Sequence, residues 1–88
     1  MAKDPDYLIK EQFGRRLRLA REASGFATSN EAARIFNLEN ETYRLYEVGK
    51  RFPKPHILVA LSERFNVTLD YLIKGPPRAT NENVAKTA

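Results

Sequence analysis

The sequence has no cysteine and only one histidine among its 88 residues. Without cysteine the chain has no disulfide framework, and with a single histidine it lacks the usual ligands of a zinc site. This composition suits the reducing interior of a cell. We therefore expect a cytoplasmic protein without a structural metal.

Long apolar runs are also missing. None approaches the roughly 20 residues that a membrane-spanning helix needs, and residues 1–10 lack the apolar core of a signal peptide. Paired carboxylates in a cleft, Ser-His or Cys-His constellations and glycine-rich phosphate loops are not evident, and the four glycines are scattered at what we interpret as turn positions. We predict a protein that is not an enzyme, has no cofactor and does not contact a membrane.

The charge balance is mildly basic. The formal net charge is +4 at pH 7 and the sequence pI is about 9.6. Such an excess favours an anionic partner, although 30% charged residues is an ordinary fraction. Charge alone does not identify the partner. A length of 88 residues is enough for one small domain.

Helical periodicity dominates the chain, and no strand pattern competes with it. The segment Asp4-Pro5-Asp6 is typical of a helix start, and Ser24-Gly25 is typical of a helix end. Between them, residues spaced by three or four form one stripe. The predicted first helix therefore runs to about Ala23, and its inward stripe is Ile9, Phe13, Leu17, Ala20 and Arg21.

Residues 28–49 predict two short helices joined by a tight turn. Thr28 and Glu31 have the spacing of a capping box, and an apolar face follows at Ala32, Ala33, Ile35 and Phe36. Asn37 tolerates the left-handed backbone that ends a helix. Glu39 or Asn40 can then cap a third helix, at about 40–48, which Gly49 ends.

Two more helices are predicted after a basic, proline-containing loop at residues 50–55. The fourth runs from about Pro55 to Phe65, and the fifth follows a Thr68 cap and ends before Gly75. Residues 76–88 have almost nothing to bury, so we expect a disordered tail there and a folded domain over residues 1–75.

Four segments, in the same order and at nearly the same spacing, resemble the λ-repressor and Cro-like (XRE-type) helix-turn-helix family. They are FGRRLRLAR, EAARIFNL, TYRLYEVGKRFP and FNVTLDYLIKG, and the resemblance covers residues 13–75. It implies a compact, all-α, five-helix DNA-binding domain in which the third helix enters the major groove. Asn37 stands where the family usually has glycine.

Arg21 and Glu47 are charged residues on otherwise apolar stripes. Each lies four residues after a stripe residue of its own helix, Leu17 and Tyr43 respectively. Two opposite charges that point into one core should meet, and the resemblance implies the same structural ion pair. Tyr43 and Tyr46 are predicted core residues with their hydroxyls at the edge.

The resemblance also implies a set of DNA-binding residues. Thr28 and Ser29, at the start of the second helix, would anchor a phosphate. Lys50 and Arg51, with Lys54 as a further candidate, would neutralise phosphates after the recognition helix. The positions that face bases correspond to Glu39, Asn40, Glu41, Thr42, Arg44 and Leu45.

Several of these residues have a second interpretation. Asn40 can be only a helix cap, and Glu39 or Glu41 can simply favour the positive end of the helix dipole. Two carboxylates facing DNA are repelled by it unless a cytosine amine or a cation neutralises each. Leu45 is either an apolar base contact or part of a protein interface. Arg15, Arg16 and Arg18 are interpreted as a solvated helix face.

The function that these observations favour is a sequence-specific, repressor-like transcriptional regulator that binds double-stranded DNA. We expect it to act as a homodimer on a palindromic operator, because one monomer covers only a half-site. Leu8, Leu19 and the segment 71–73 are candidates for the dimer interface. The alternative is an antitoxin-like or adaptor module that uses the same fold to bind a protein partner.

Overall fold

Five α-helices and no strand make up the part of the chain that the computed structural model describes, residues 5–76. They are α1 (Pro5–Ala23), α2 (Ser29–Ile35), α3 (Asn40–Glu47), α4 (Pro55–Arg64) and α5 (Leu69–Lys74). The predicted all-α, five-helix class is confirmed, with predicted ends that differ by about one residue. None of these helices is long and apolar enough to cross a membrane. Apart from Pro76, the predicted tail at residues 76–88 lies outside the described residues.

Threonine side chains cap two of the helices. At α2, the Thr28 hydroxyl accepts a hydrogen bond from the Glu31 amide at 3.2 Å, and at α5 the Thr68 hydroxyl accepts one from the Tyr71 amide at 2.9 Å. In a capping box the Glu31 carboxylate would also accept a hydrogen bond from the amide of the cap residue, Thr28, and here the donor differs. The Glu31 carboxylate accepts from the Ala27 amide at 2.9 Å, so it reaches one residue before the cap.

The Thr28 cap predicts a measurable loss of stability. Thr28→Ala removes the acceptor of the Glu31 amide and should lower the free energy of unfolding by about 1 kcal/mol. Ser29→Ala is the matched control, because the Ser29 side chain caps no amide of the same helix. Urea titrations followed by circular dichroism would measure both variants, and equal midpoints would show that the cap is not stabilising.

Four helices end in the same way. After α1, the amide of Phe26 bonds to the carbonyl of Arg21 and the amide of Gly25 bonds to that of Glu22, which is the Schellman arrangement. The same pair of bonds follows α2, α3 and α4. It requires a left-handed residue, and φ is +57° at Asn37 and +57° at Asn66. At these two helix ends, asparagine therefore takes the left-handed conformation for which glycine is the usual residue.

The core lies where α1 packs against α3 and α5 and α2 packs against α3. Phe36, directly after α2, connects α3 with the end of α4, because its ring stacks on Tyr43 at 6.4 Å and meets Phe65 edge-on at 5.4 Å. Buried aromatic and aliphatic surface of this kind is the main favourable term in folding. The buried apolar residues are Phe13, Leu17, Ala20, Ala32, Ala33, Tyr43, Tyr46, Leu61, Phe65 and Leu72.

Two predictions about the core and one about the dimer interface are wrong. Ile9 lies near the start of α1 and is 40% exposed, with Phe52 of the loop between α3 and α4 beside it. Ile35 is also 40% exposed, since Ala32 and Ala33 set the inward face of the short α2 and Ile35 falls off it. Leu72 is fully buried in the core, so within the segment 71–73 it is not a surface for dimerisation.

Gly14 is not at a turn, contrary to the prediction for the glycines. It lies buried in the middle of α1, where a Cβ atom would collide with the Glu47 carbonyl and lie 2.7 Å from the Tyr46 carbonyl. Both are backbone atoms at the end of α3. Gly14 therefore sets how closely α1 and α3 approach each other.

Arg21 and Glu47 join the same two helices by an ion pair. Nε of Arg21 lies 2.7 Å from one Glu47 carboxylate oxygen, Nη2 lies 3.3 Å from the other, and Nη1 donates to the Phe26 carbonyl at 2.8 Å. Burial alone would lower the pKa of Arg21, but the hydrogen bond and charge of Glu47 outweigh it and the pKa is raised. The pair orients α3 on α1.

The hydroxyl of Tyr43 is buried beside this pair, not at the edge of the core as predicted. Among the described residues no atom meets hydrogen-bond geometry with it. Burial raises the pKa of the Tyr43 phenol well above its usual value, and the nearby Glu47 carboxylate raises it further. The phenol therefore stays neutral while the domain is folded.

Arg16 departs from the predicted solvated face of α1. Its Nη1 donates to the carbonyls of Leu72 at 3.3 Å and Ile73 at 3.0 Å, in the last turn of α5. Carbonyls at a helix C-terminus lack partners within the helix, and a cation suits the negative end of the helix dipole. Arg16 thus holds α5 on α1, whereas Arg15 and Arg18 remain exposed.

Candidate nucleic-acid interface

The outward face of α3 carries the residues that were predicted to face bases. Glu39, Asn40, Glu41 and Arg44 are exposed, and Thr42 and Leu45 are half-buried. The opposite face holds Tyr43 and Tyr46 in the core. Because the Arg21–Glu47 pair and Gly14 fix that inner face, the outer residues are presented in one orientation.

Asn40 is not the cap of α3, so that interpretation is wrong. Glu39 occupies the N-cap position with extended backbone, and its carboxylate makes no capping hydrogen bond. Asn40 is the first residue of the helix, and its side chain has no hydrogen-bond partner among the described residues. Its amide group is therefore available to a ligand.

Glu41 and Arg44 form a two-point ion pair along one side of α3. Nε of Arg44 donates to one carboxylate oxygen at 3.0 Å, and Nη2 donates to the other at 2.7 Å. The hydrogen bond from Arg44 holds the pKa of the Glu41 carboxyl below its usual value, and the same bond raises the pKa of Arg44. The cation that Glu41 needs near a polyanion is thus supplied by the chain itself.

Basic residues follow α3 beside an open groove. The amides of Lys50 and Arg51 both donate to the Leu45 carbonyl, at 3.0 and 3.3 Å, which turns the chain back across the end of the helix. Arg51, Lys54 and Thr42 line a groove of about 510 Å³. Thr42 therefore lies at the edge between α3 and the basic loop rather than at the centre of the outward face.

The start of α2 presents Thr28 and Ser29. The Thr28 oxygen accepts a hydrogen bond from the Glu31 amide, so the hydroxyl proton and a second lone pair remain available. Ser29 is half-buried as the first residue of the helix. The first amides of a helix have no partner within it, which suits an anion.

Two surface residues near the candidate site were not among the predicted DNA-binding residues. Val48 is 46% exposed just after α3, one turn beyond Arg44, and this spacing could have revealed it. His56, the single histidine of the chain, is exposed and lines the groove beside Arg51. Its place there depends on how α4 packs, for which the sequence offers no pattern.

Comparison with known proteins agrees with this architecture. A family profile described as a helix-turn-helix domain matches residues 14–77, which is most of the chain. The chain belongs to the XRE-type helix-turn-helix family. The predicted resemblance is therefore confirmed, and α2 and α3 are the two helices of the helix-turn-helix.

A curated relative of this helix-turn-helix domain is the HTH-type transcriptional regulator ImmR of Bacillus subtilis (strain 168). The two sequences are 40% identical over 60 residues, which are 68% of this chain and 46% of that protein. The chain thus spans about half the length of the relative that it matches.

Proposed function

We propose that this helix-turn-helix domain binds double-stranded DNA in a sequence-specific manner and regulates transcription, with α3 as the recognition helix in the major groove. The observation that carries the proposal is the row of exposed polar side chains on the outer face of α3, Asn40, Glu41 and Arg44, which continues into the basic Lys50 and Arg51. Asparagine suits adenine and arginine suits guanine in the major groove. The relative's description as a transcriptional regulator supports the same function.

The charge of this surface is compatible with DNA once the ion pair is counted. Arg44 neutralises Glu41, so Glu39 is the carboxylate of this face that lacks a partner among the described residues. Three basic residues follow α3 in the sequence, Lys50, Arg51 and Lys54. We assign phosphate contacts to Lys50 and Arg51, and to Thr28 and Ser29 at the start of α2.

The domain acts as a homodimer on a palindromic site in this proposal. A groove of about 590 Å³ supports it, because the groove is lined by residues of α1, α5 and the turn before α5, with none from α3. Leu19, which is 58% exposed, and Tyr71 lie along it, so it joins two of the predicted interface candidates. A two-fold pair would set the recognition helices about 34 Å apart.

Selection from a random duplex pool tests the proposal. We expect a two-fold-symmetric motif to be enriched, and the affinity for the selected duplex to fall steeply as salt concentration rises. Sedimentation at increasing duplex concentration would give the number of chains bound per site. Equal affinity for selected and random duplexes would refute a sequence-specific regulator.

Two substitutions separate base contacts from phosphate contacts. Arg44→Ala should reduce the preference for the base pair that Arg44 contacts by about 5- to 150-fold, with other positions unchanged. Lys50→Ala should weaken binding to all duplexes alike and reduce the slope of log affinity against log salt by about 1. Titrations of the selected duplex and single-base variants would measure both. A uniform loss from Arg44→Ala would contradict a base contact.

An antitoxin-like or adaptor module is the second candidate. The observation that favours it is apolar surface at the C-terminal end of α3, where Leu45 is half-buried and Val48, the residue directly after the helix, is 46% exposed. Such a surface suits a protein partner better than a phosphate backbone. Val48→Lys distinguishes the two, because it should strengthen DNA binding and weaken a protein contact.

A further inference from the structure

The Glu41–Arg44 pair orients the guanidinium of Arg44. Both side chains are largely exposed, at 63% and 48%, yet the guanidinium is held at two points by the carboxylate. An unpaired arginine samples many rotamers and loses that freedom when it docks on a base. A two-point contact with the preceding turn of the same helix removes part of that freedom in advance.

The contacts also determine which donors of Arg44 remain available. The carboxylate occupies Nε and one hydrogen of Nη2, which form one side of the planar group. Both hydrogens of Nη1 and the second hydrogen of Nη2 have no partner among the described residues. One hydrogen from each of these nitrogens forms the parallel fork at the end of the guanidinium.

That end fork fits one base. Guanine presents two adjacent acceptors, O6 and N7, in the major groove, whereas the other three bases offer no such pair. We propose that Glu41 is a positioning residue that directs the end fork of Arg44 onto a guanine, so that the two residues recognise one G·C pair in each half-site. This inference rests on the proposed DNA-binding function of α3.

Glu41 would then increase the preference of the domain for guanine, which is not the effect expected of a carboxylate near DNA. An unpaired carboxylate lowers affinity for every duplex through repulsion and does not distinguish bases. Glu39 is such a residue, two positions away, with no partner among the described residues. Glu41, in contrast, is paired with Arg44 at two points, and this hydrogen bond lowers the pKa of its carboxyl.

The test compares substitutions at Glu39 and Glu41 that each remove one negative charge. Glu39 was among the positions predicted to face bases, but the proposal assigns it no base contact, so Glu39→Gln should raise affinity for all duplexes and leave base preference unchanged. Glu41→Gln and Glu41→Ala should instead reduce the preference for guanine over adenine, at the pair that depends on Arg44, by about 2- to 12-fold. Fluorescence anisotropy with the selected duplex, and with the same duplex carrying A·T at that pair, measures each preference.

A double-mutant cycle separates positioning from a general effect of charge. In an Arg44→Ala background, Glu41→Gln should no longer alter the guanine preference, because there is no guanidinium to orient. Its remaining effect should equal that of Glu39→Gln. All these side chains are exposed, so unchanged urea midpoints would verify that the variants remain folded.

Different outcomes refute the inference and the function on which it rests. If the wild-type domain selects a motif but Glu41→Gln keeps the full guanine preference, as Glu39→Gln does, the positioning role is wrong and DNA binding stands. The same conclusion follows if Arg44→Ala affects no G·C pair. If the wild-type domain selects no motif, both proposals are wrong.

Discussion

Arg21→Ala is expected to lower the free energy of unfolding by about 3–5 kcal/mol, because it leaves a buried carboxylate without its cation. Glu47 is only 8% exposed, and it would lose hydrogen bonds from both Nε and Nη2. The Phe26 carbonyl would lose its side-chain donor as well. Small domains have total stabilities of about 5–15 kcal/mol, so much of the protein should unfold in mild urea.

The control for Arg21→Ala lies one turn earlier on the same helix. Arg18 pairs with Glu22 at 3.2 Å, but the two side chains are 65% and 45% exposed. Removing an exposed pair changes stability by less than about 1 kcal/mol. Similar urea midpoints for Arg18→Ala and Arg21→Ala, measured by circular dichroism, would show that the buried pair does not hold α3 on α1.

The double substitution Arg21→Met with Glu47→Leu tests the physical cause. A buried ion pair can be replaced by apolar side chains of similar volume at little cost, whereas removal of one partner leaves an uncompensated charge. We therefore expect the double variant to be more stable than Arg21→Ala. A double variant as unstable as Arg21→Ala would mean that the pair contributes specific geometry that apolar packing does not replace.

Most of the fold could be predicted because its determinants are local. Threonine caps, left-handed asparagine or glycine and the proline after Lys54 mark the helix ends within a few residues of sequence. The contact between Arg21 and Glu47 could also be inferred, since two opposite charges lay on inward stripes. Helical periodicity does not show at which residue an apolar stripe ceases to contact the core, which is why Ile9 and Ile35 were predicted to be buried.

The candidate site was less predictable than the fold. Spacing identifies which residues share the outer face of α3, and the i, i+3 spacing of Glu41 and Arg44 allows a pair. It does not say that the pair forms, because Arg44 could equally have extended into solvent. The groove at Thr42, Arg51 and Lys54 depends on how the loop returns over α3, which is a matter of tertiary packing.

Gly14 gives the sharpest contrast between local and tertiary reasoning. By helix propensity alone, Gly14→Ala should stabilise the domain by about 1 kcal/mol, since glycine is poor in the interior of a helix. The structure indicates the opposite effect, a loss of stability. A Cβ atom at this position meets the carbonyls of Tyr46 and Glu47 and lies 2.8 Å from the Glu47 carbonyl carbon. These are backbone atoms, so no side-chain rotation relieves the contact.

We expect Gly14→Ala to lower the free energy of unfolding by about 1–3 kcal/mol, as overpacking of a tight interface does. Because α1 must move away from the end of α3, the Arg21–Glu47 contact weakens too, so the loss should exceed that of an exposed substitution on the same helix. Gln12→Ala, at an exposed position, is that control and should stay within about 0.5 kcal/mol of wild type. Urea titration decides between the two arguments, since propensity raises the Gly14→Ala midpoint and close helix packing lowers it.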